Sequence, residues 1–332
     1  MSRVPSVRQH PEELAAANRR RTWLVLVAGG GVVVLLGIAL SFTTRVGWVG
    51  VPFALAAAAI AAGIAYFQAD AIVIASTGAR PADRAAYERY HNIAEGLCLA
   101  AGLPKPRLYV VASPALNAFA TGRDPDHAAI AITTGLWEAL DRRELEAVIA
   151  HELAHVRNLD IRTMTVVAVV AGAIVMLADW TLRSVWYGGY RTDRRRGVGA
   201  FPIIAILGVV AAILAPLAAQ LVRFAVSRER EYLADASGVL LTRYPTALAR
   251  ALTKLRDDTT RLRHDSAATA HLWIKDPLPR ARARGSGSRR SALDRLFATH
   301  PPIEDRIARL QQMGADLPAT EQQDITPPPY FT

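Results

Sequence analysis

The sequence predicts a mainly α-helical membrane protein carrying a small β-sheet and about four hydrophobic helices. Three observations carry that expectation: an apolar composition, a set of long uncharged runs, and a central stretch whose short apolar segments are broken by turn residues. Of the 332 residues, 52% are hydrophobic and the mean hydropathy is +0.17, higher than soluble domains usually show.

The apolar runs come first. Thr22 to Phe42 and Gly47 to Phe67 flank Arg45, the pattern of a tight transmembrane hairpin. A basic start ahead of an apolar run also describes a secretory signal, but this run is long enough to span and no small-residue cleavage site precedes the second. Arg3, Arg8, Arg19, Arg20 and Arg21 precede the first run, so the positive-inside rule places the N-terminus in the cytoplasm. Met164 to Trp180 and Phe201 to Val222 form two further runs. If both cross, the loop between them is extracytoplasmic, yet it holds Arg183, Arg191 and Arg194 to Arg196, against the charge rule. A helical hairpin partly buried in protein is the alternative.

The stretch between the runs reads as mixed structure. Tyr90, Ile93, Ala94, Leu97 and Ala101 recur at helical spacing, predicting an amphipathic helix over Asp83 to Ala101, stopped by Gly102 and Pro104. Arg107 to Ala112, Ala118 to Gly122 and Ala128 to Thr133 are strand candidates. Asp141 with Glu144 predicts a capped helix start, and Leu145, Val148, Ile149, Leu153 and Val156 its apolar face. Further helices are expected around Tyr244 to Arg256 and from Pro302 to Met313, with a basic linker from Arg280 to Ser291 and a Pro-rich disordered tail.

Composition also excludes function classes. The single cysteine, Cys98, rules out an intrachain disulfide and thiolate zinc, and is read as helix packing. The net charge of +10 is bunched beside apolar runs and in one late loop, which points to a membrane surface and not to nucleic acid. Nothing in the pattern specifies an oligomer.

One motif carries chemistry. His151, Glu152 and His155 fall in HELAH on the capped helix, and the i, i+4 spacing puts both imidazoles on one face, where they can share a tetrahedral ion. A catalytic zinc needs a third protein ligand. Glu231 in Glu231-Tyr-Leu-Ala-Asp235 is the candidate, with Asp235 one turn on accepting the other ring N–H of a ligand histidine, His151. Zinc, one ion per chain, would lower the pKa of its water and polarise the scissile carbonyl, while Glu152 moves the proton. His10, His91, His127, His264 and His271 lack partner spacing and are read as ordinary residues.

The sequence resembles the HtpX-type membrane metallopeptidases, relatives of the CaaX prenyl endopeptidases. The resemblance rests on Asn117-Ala-Phe-Ala-Thr-Gly122, on HELAH followed by Asn158 and Asp160, on Ser227 to Asp235 (SREREYLAD), and on Thr299-His-Pro-Pro302 with Arg306. It implies a gluzincin fold, zinc on His151, His155 and Glu231, an active site facing the cytoplasm at the inner or plasma membrane, and proteolysis of membrane proteins in quality control. It further suggests that Asn117 lies on or beside an edge strand that pairs with extended substrate. His300 would donate to the developing oxyanion, and Arg306 would hold that loop or a substrate carbonyl. The Arg-rich loop at 183–198 and the linker at 280–291 depart from the family.

The expected organisation is a cytoplasmic basic segment over 1–21, a transmembrane hairpin over 22–67 and a first peptidase part over 68–163. A second hydrophobic hairpin over 164–222, a second peptidase part over 223–313 and a disordered tail over 314–332 follow. Two other classes compete with the enzyme. A non-catalytic metal-containing membrane scaffold or adaptor would not need the intact Glu152, and a transporter would place His and Glu inside the spans.

Overall fold

Glu12 to Arg21 is rich in strong helix formers, and the first helix starts well before the apolar run as a result. In the structure, a computed structural model that describes residues 11–43, 47–189, 228–262, 269–275 and 301–315, α1 runs from Pro11 to Thr43 and carries Arg19 to Arg21 on helix. α2 (Gly50–Phe67) follows a single 3-10 turn, and α3 (Ala69–Ser76) continues from it. Asn18, Thr22, Val25, Leu26 and Gly29 recur along one face of α1, which packs on α7 (Asp160–Gly189). A Cβ on Gly29 would stand 2.7 Å from Val170 Cγ1, so a larger residue could enter there only if Val170 moved. The opposite faces expose Trp23, Val27, Leu35, Phe53 and Ile60, each more than half exposed. Among the described residues α2 is the one helix long and apolar enough to cross a membrane.

The second hydrophobic hairpin is described in part. Met164 to Trp180 lies inside α7, which continues to Gly189, so the beginning of the expected Arg-rich loop is helical. No glycine or proline interrupts the chain from Ala173 until Gly188 and Gly189. The run Phe201 to Val222, the linker at 280–291 and the tail beyond Ala315 lie outside the described residues.

A four-stranded sheet lies between these helices and the rest of the fold, with β1 (Arg80–Pro81), β2 (Arg107–Val111), β3 (Ala118–Thr121) and β4 (Ala129–Thr133) in the order β1-β2-β4-β3. β2 and β4 are parallel, with Leu108 opposite Ile130, while β3 pairs antiparallel to β4 and forms an edge. β4 is wholly buried, and in β2 Leu108, Val110 and Val111 are buried while Arg107 at its start is exposed, in keeping with the apolar character of central strands. β1 was not legible because two residues ending in proline carry no periodicity. The helix expected from Asp83 begins later, as α4 (Glu88–Ala101), because the Asp83 side chain accepts from Ala86 N and closes a separate turn.

After the short α5 (Thr134–Ala139), α6 (Arg142–Arg157) starts at a capping box. Asp141 accepts from Glu144 N at 2.8 Å and Glu144 accepts from Asp141 N at 3.0 Å. Glu144 also takes Lys254 Nζ at 2.6 Å, joining α6 to α9 (Pro245–Asp257). α8 (Arg228–Thr242) crosses α6, and α10 (Ile303–Ala315) packs on α9. Leu145, Val148, Ile149, Leu153 and Val156 are all buried in the core shared by α4, α6, α9 and the sheet.

Candidate metal centre

The i, i+4 spacing on α6 sets the His151 and His155 rings 4.8 Å apart between centroids, with planes at 88°. Glu231 arrives from α8. One donor atom from each of the three lies within 4.8 Å of the other two, and all three residues are buried. Glu231 Oε1 stands 3.6 Å from His155 Nε2 and Oε2 stands 3.9 Å from His151 Nε2. These separations are too long for hydrogen bonds and leave space for a cation among the donors.

The far sides of both rings are held. His151 Nδ1 is 3.0 Å from Asp235 Oδ1, and His155 Nδ1 is 3.1 Å from Asp160 Oδ2. With the δ nitrogens so occupied, both ε nitrogens point toward Glu231. Two imidazoles, one carboxylate and carboxylates behind the imidazoles are the donor set and support that a catalytic zinc takes. The residues fit that ion.

Two backbone features make the convergence possible. Glu231, Asp235 and Gly238 share one face of α8, and a Cβ on Gly238 would stand 3.1 Å from His151 N and 3.3 Å from its Cα. Glycine there lets α8 meet the α6 backbone. Leu159, between α6 and α7, has φ 57°, a left-handed conformation that a leucine adopts at a cost. That reversal returns Asp160 to the ring of His155.

The electrostatics are those of a buried polar cluster. Burial pulls the His155 imidazole down, but the Asp160 hydrogen bond and the charges of Glu231, Asp160 and Glu152 prevail and hold it up to about 9. Burial raises the Glu152 carboxyl above its ordinary value, against the pull of His151 and His155. Burial acts upward on Asp235 too, yet the Arg306 charge and the partners around it keep this carboxyl below the usual range. Arg306, 1% exposed, forks onto Asp235 with Nη2 to Oδ1 at 2.6 Å and Nε to Oδ2 at 2.9 Å, and its Nη1 lies 3.4 Å from Glu231 Oε2.

Residues 84–314 match the sequence profile of peptidase family M48. The chain belongs to that family. M48 peptidases similar to it include proteins described as "Protease HtpX homolog" from two bacteria. That of Thermoanaerobacter pseudethanolicus is 49% identical over 251 residues, covering 75% of this chain and 80% of the relative. The Streptococcus gordonii protein is 41% identical over 309 residues, 91% of this chain and 99% of that one. A more distant likeness is the crystal structure of S. mikatae Ste24p, with a TM-score of 0.46, 18% identity, and coverage of 90% of this chain and 66% of that one. This M48 chain is a membrane metalloprotease, acting on protein substrates, with a His151, His155 and Glu231 group that can hold a metal.

Within the M48 fold the other sequence candidates fall in different places. Asn117 directly precedes edge strand β3, but its side chain grips the chain itself, donating to Lys275 O at 2.7 Å and accepting from Lys275 N at 3.1 Å. Ile274 N donates to Ala118 O, so that part of the edge is already paired. Arg306 touches Asp235 behind His151, the donor candidates Glu231 and His151 themselves, and the Ile274 carbonyl, not open space. His300 lies outside the described residues. Asp160 and Arg230 are legible in the sequence only as members of motifs, and Asn18 and Gly238 carry no motif; a small residue one turn beyond Asp235 is the available signal for Gly238.

Proposed function

We propose that this M48 peptidase is a zinc endopeptidase embedded in the cell membrane, with zinc held by His151, His155 and Glu231 and with Glu152 as general base. The single observation that carries the reading is the convergence of those three buried donors beside a fourth, separately placed carboxyl. A zinc ion bound there supplies Lewis acidity to a water and to the scissile carbonyl. Glu152 takes the proton of the attacking water and delivers it to the leaving amine. Burial suits it to that task, since a raised carboxyl is the better acceptor, and among the described residues no side chain hydrogen-bonds it. Asp235 and Asp160 keep the ε nitrogens turned inward, and Arg306 holds Asp235 and balances its charge.

The apolar outer faces of α1 and α2 support a membrane hairpin over 22–67, and the apolar run at 201–222 together with α7 supports a second over 164–222. The arginines around 19–21 support a cytoplasmic site. Substrates are then cytoplasmic loops and tails of membrane or misfolded proteins, degraded in quality control. They enter extended, pairing with β3 beyond Asn117, where Ala120 turns its backbone outward as Ala118 does. Asn117 and Arg306 serve as positioning residues in this reading.

The test is proteolysis of an unfolded membrane protein by detergent-purified enzyme, comparing wild type with Glu152→Gln at matched zinc content. Cleavage lost in the variant alone, with a kcat fall of about 10²- to 10⁴-fold, supports the base. Equal inactivity of both with zinc bound would instead favour a metal-containing scaffold.

A further inference from the structure

We propose that Asn18, on the N-terminal helix, is a positioning residue for the metal site, acting on His155 through Asp160. The inference rests on the reading of His155 as a metal ligand. Asn18 lies outside the stretch that matches the family profile, on a helix whose apolar face otherwise describes a membrane anchor. It is nevertheless only 2% exposed, and its amide is fully committed. Nδ2 donates to Asp160 Oδ1 at 2.8 Å and to Asn158 O at 2.9 Å, while Oδ1 accepts from Arg230 Nη1 at 3.1 Å. Asp160 turns its other oxygen to His155 Nδ1, and Arg230 directly precedes Glu231 in the chain.

One amide therefore touches the carboxylate behind His155 and the residue that directly precedes Glu231. A carboxylate with a single imidazole partner is free to rotate about its last torsion. Asp160 is not, because Asn18 and Arg230 fix the oxygen that His155 does not use. An amide suits this place where a carboxylate would not, since it offers a hydrogen to Asp160 and an oxygen to Arg230 at once. The hydroxyls of Thr22 and Thr163 both reach the Asn18 carbonyl, at 2.9 and 3.1 Å, and so seat the residue against α7. The hairpin is in this way part of the active centre as well as its anchor.

The experiment uses the full-length protein in detergent, with zinc affinity read by competition against a chromogenic chelator and ligand geometry read from the visible spectrum of the cobalt-substituted protein. Asn18→Ala is expected to weaken zinc binding about tenfold and to change the cobalt bands, as loss of an outer-shell partner does. The double variant with Asp160→Ala should bind no worse than Asp160→Ala alone, because Asn18 acts through that carboxylate. Asn18→Asp keeps the volume and removes the donor, so it gives the same loss should the alanine variant fold poorly. Val25→Ala is the control: it loosens the apolar part of the same α1–α7 contact without touching Asn18 or Asp160, and should leave affinity and spectrum as in wild type. An equal loss in Val25→Ala would overturn the proposal in favour of plain helix docking. Wild-type affinity and bands in both Asn18 variants, with binding abolished in His155→Ala, would sink this inference alone. Unchanged zinc binding in His155→Ala would sink the ligand reading and this inference with it.

Discussion

The helix pairs α9 with α10 and α1 with α2 place their side chains in opposite ways. On α9 the large apolar residues Leu248, Leu252 and Leu255 face inward, and Lys254 and Arg256 lie on the outside. On α2 the buried residues are Ala54, Ala58 and Ala65, while Phe53, Leu55, Ile60 and Ile64 face out. Small residues at the contact and large apolar ones outside are what lipid selects, where burial of a leucine gains little over leaving it in the hydrocarbon. On the membrane reading proposed above, the two pairs fold against different solvents.

The largest effect expected from breaking that contrast lies in the polar centre between the two solvents. Arg306→Met would leave Asp235 and Glu231 buried without their cation and should cost about 3–5 kcal/mol in thermal or denaturant unfolding of the metal-free protein. Leu252→Ala, in the water-facing pair's core, should cost about 2–5 kcal/mol by the same measurement. Ile60→Arg, near the middle of α2, should disfavour membrane integration by about 2.5–3.5 kcal/mol, read as the membrane-inserted fraction in a translocation assay. Ile60→Ala should shift unfolding by only about 0.5 kcal/mol or less, since that side chain is mostly exposed. A core-sized loss in Ile60→Ala would mean that α2 is covered by protein on the face assigned here to lipid.

What the sequence made legible follows the range of the interactions. The capping box at Asp141 and Glu144, the one-turn spacing of His151 and His155, and that of Glu231 and Asp235 are all set within a few residues, and each was readable as pattern. The approach of Asp235 to the His151 ring was also expected, because it needs only that two such helices face each other. Asn18 and Asp160 are 142 residues apart, and nothing in either neighbourhood announces the other. The family resemblance suggested that Arg306 holds the His300 loop or a substrate carbonyl; its place behind Asp235 depends on how α10 packs, which no local spacing encodes. The third and fourth apolar runs were readable by composition alone, which does not distinguish a crossing helix from a buried one.

Helix α6 is fastened at both ends. Its first turn is closed by Asp141 and Glu144 and tied to Lys254, and its last gives way at once to the Leu159 reversal that Asp160 holds in place. Fraying, the cheapest motion a helix has, is therefore closed to this one, and its amides should exchange with solvent only when the whole domain opens. Breathing needed to admit a polypeptide must come from other elements, so the two imidazoles remain a fixed reference while the walls around them move.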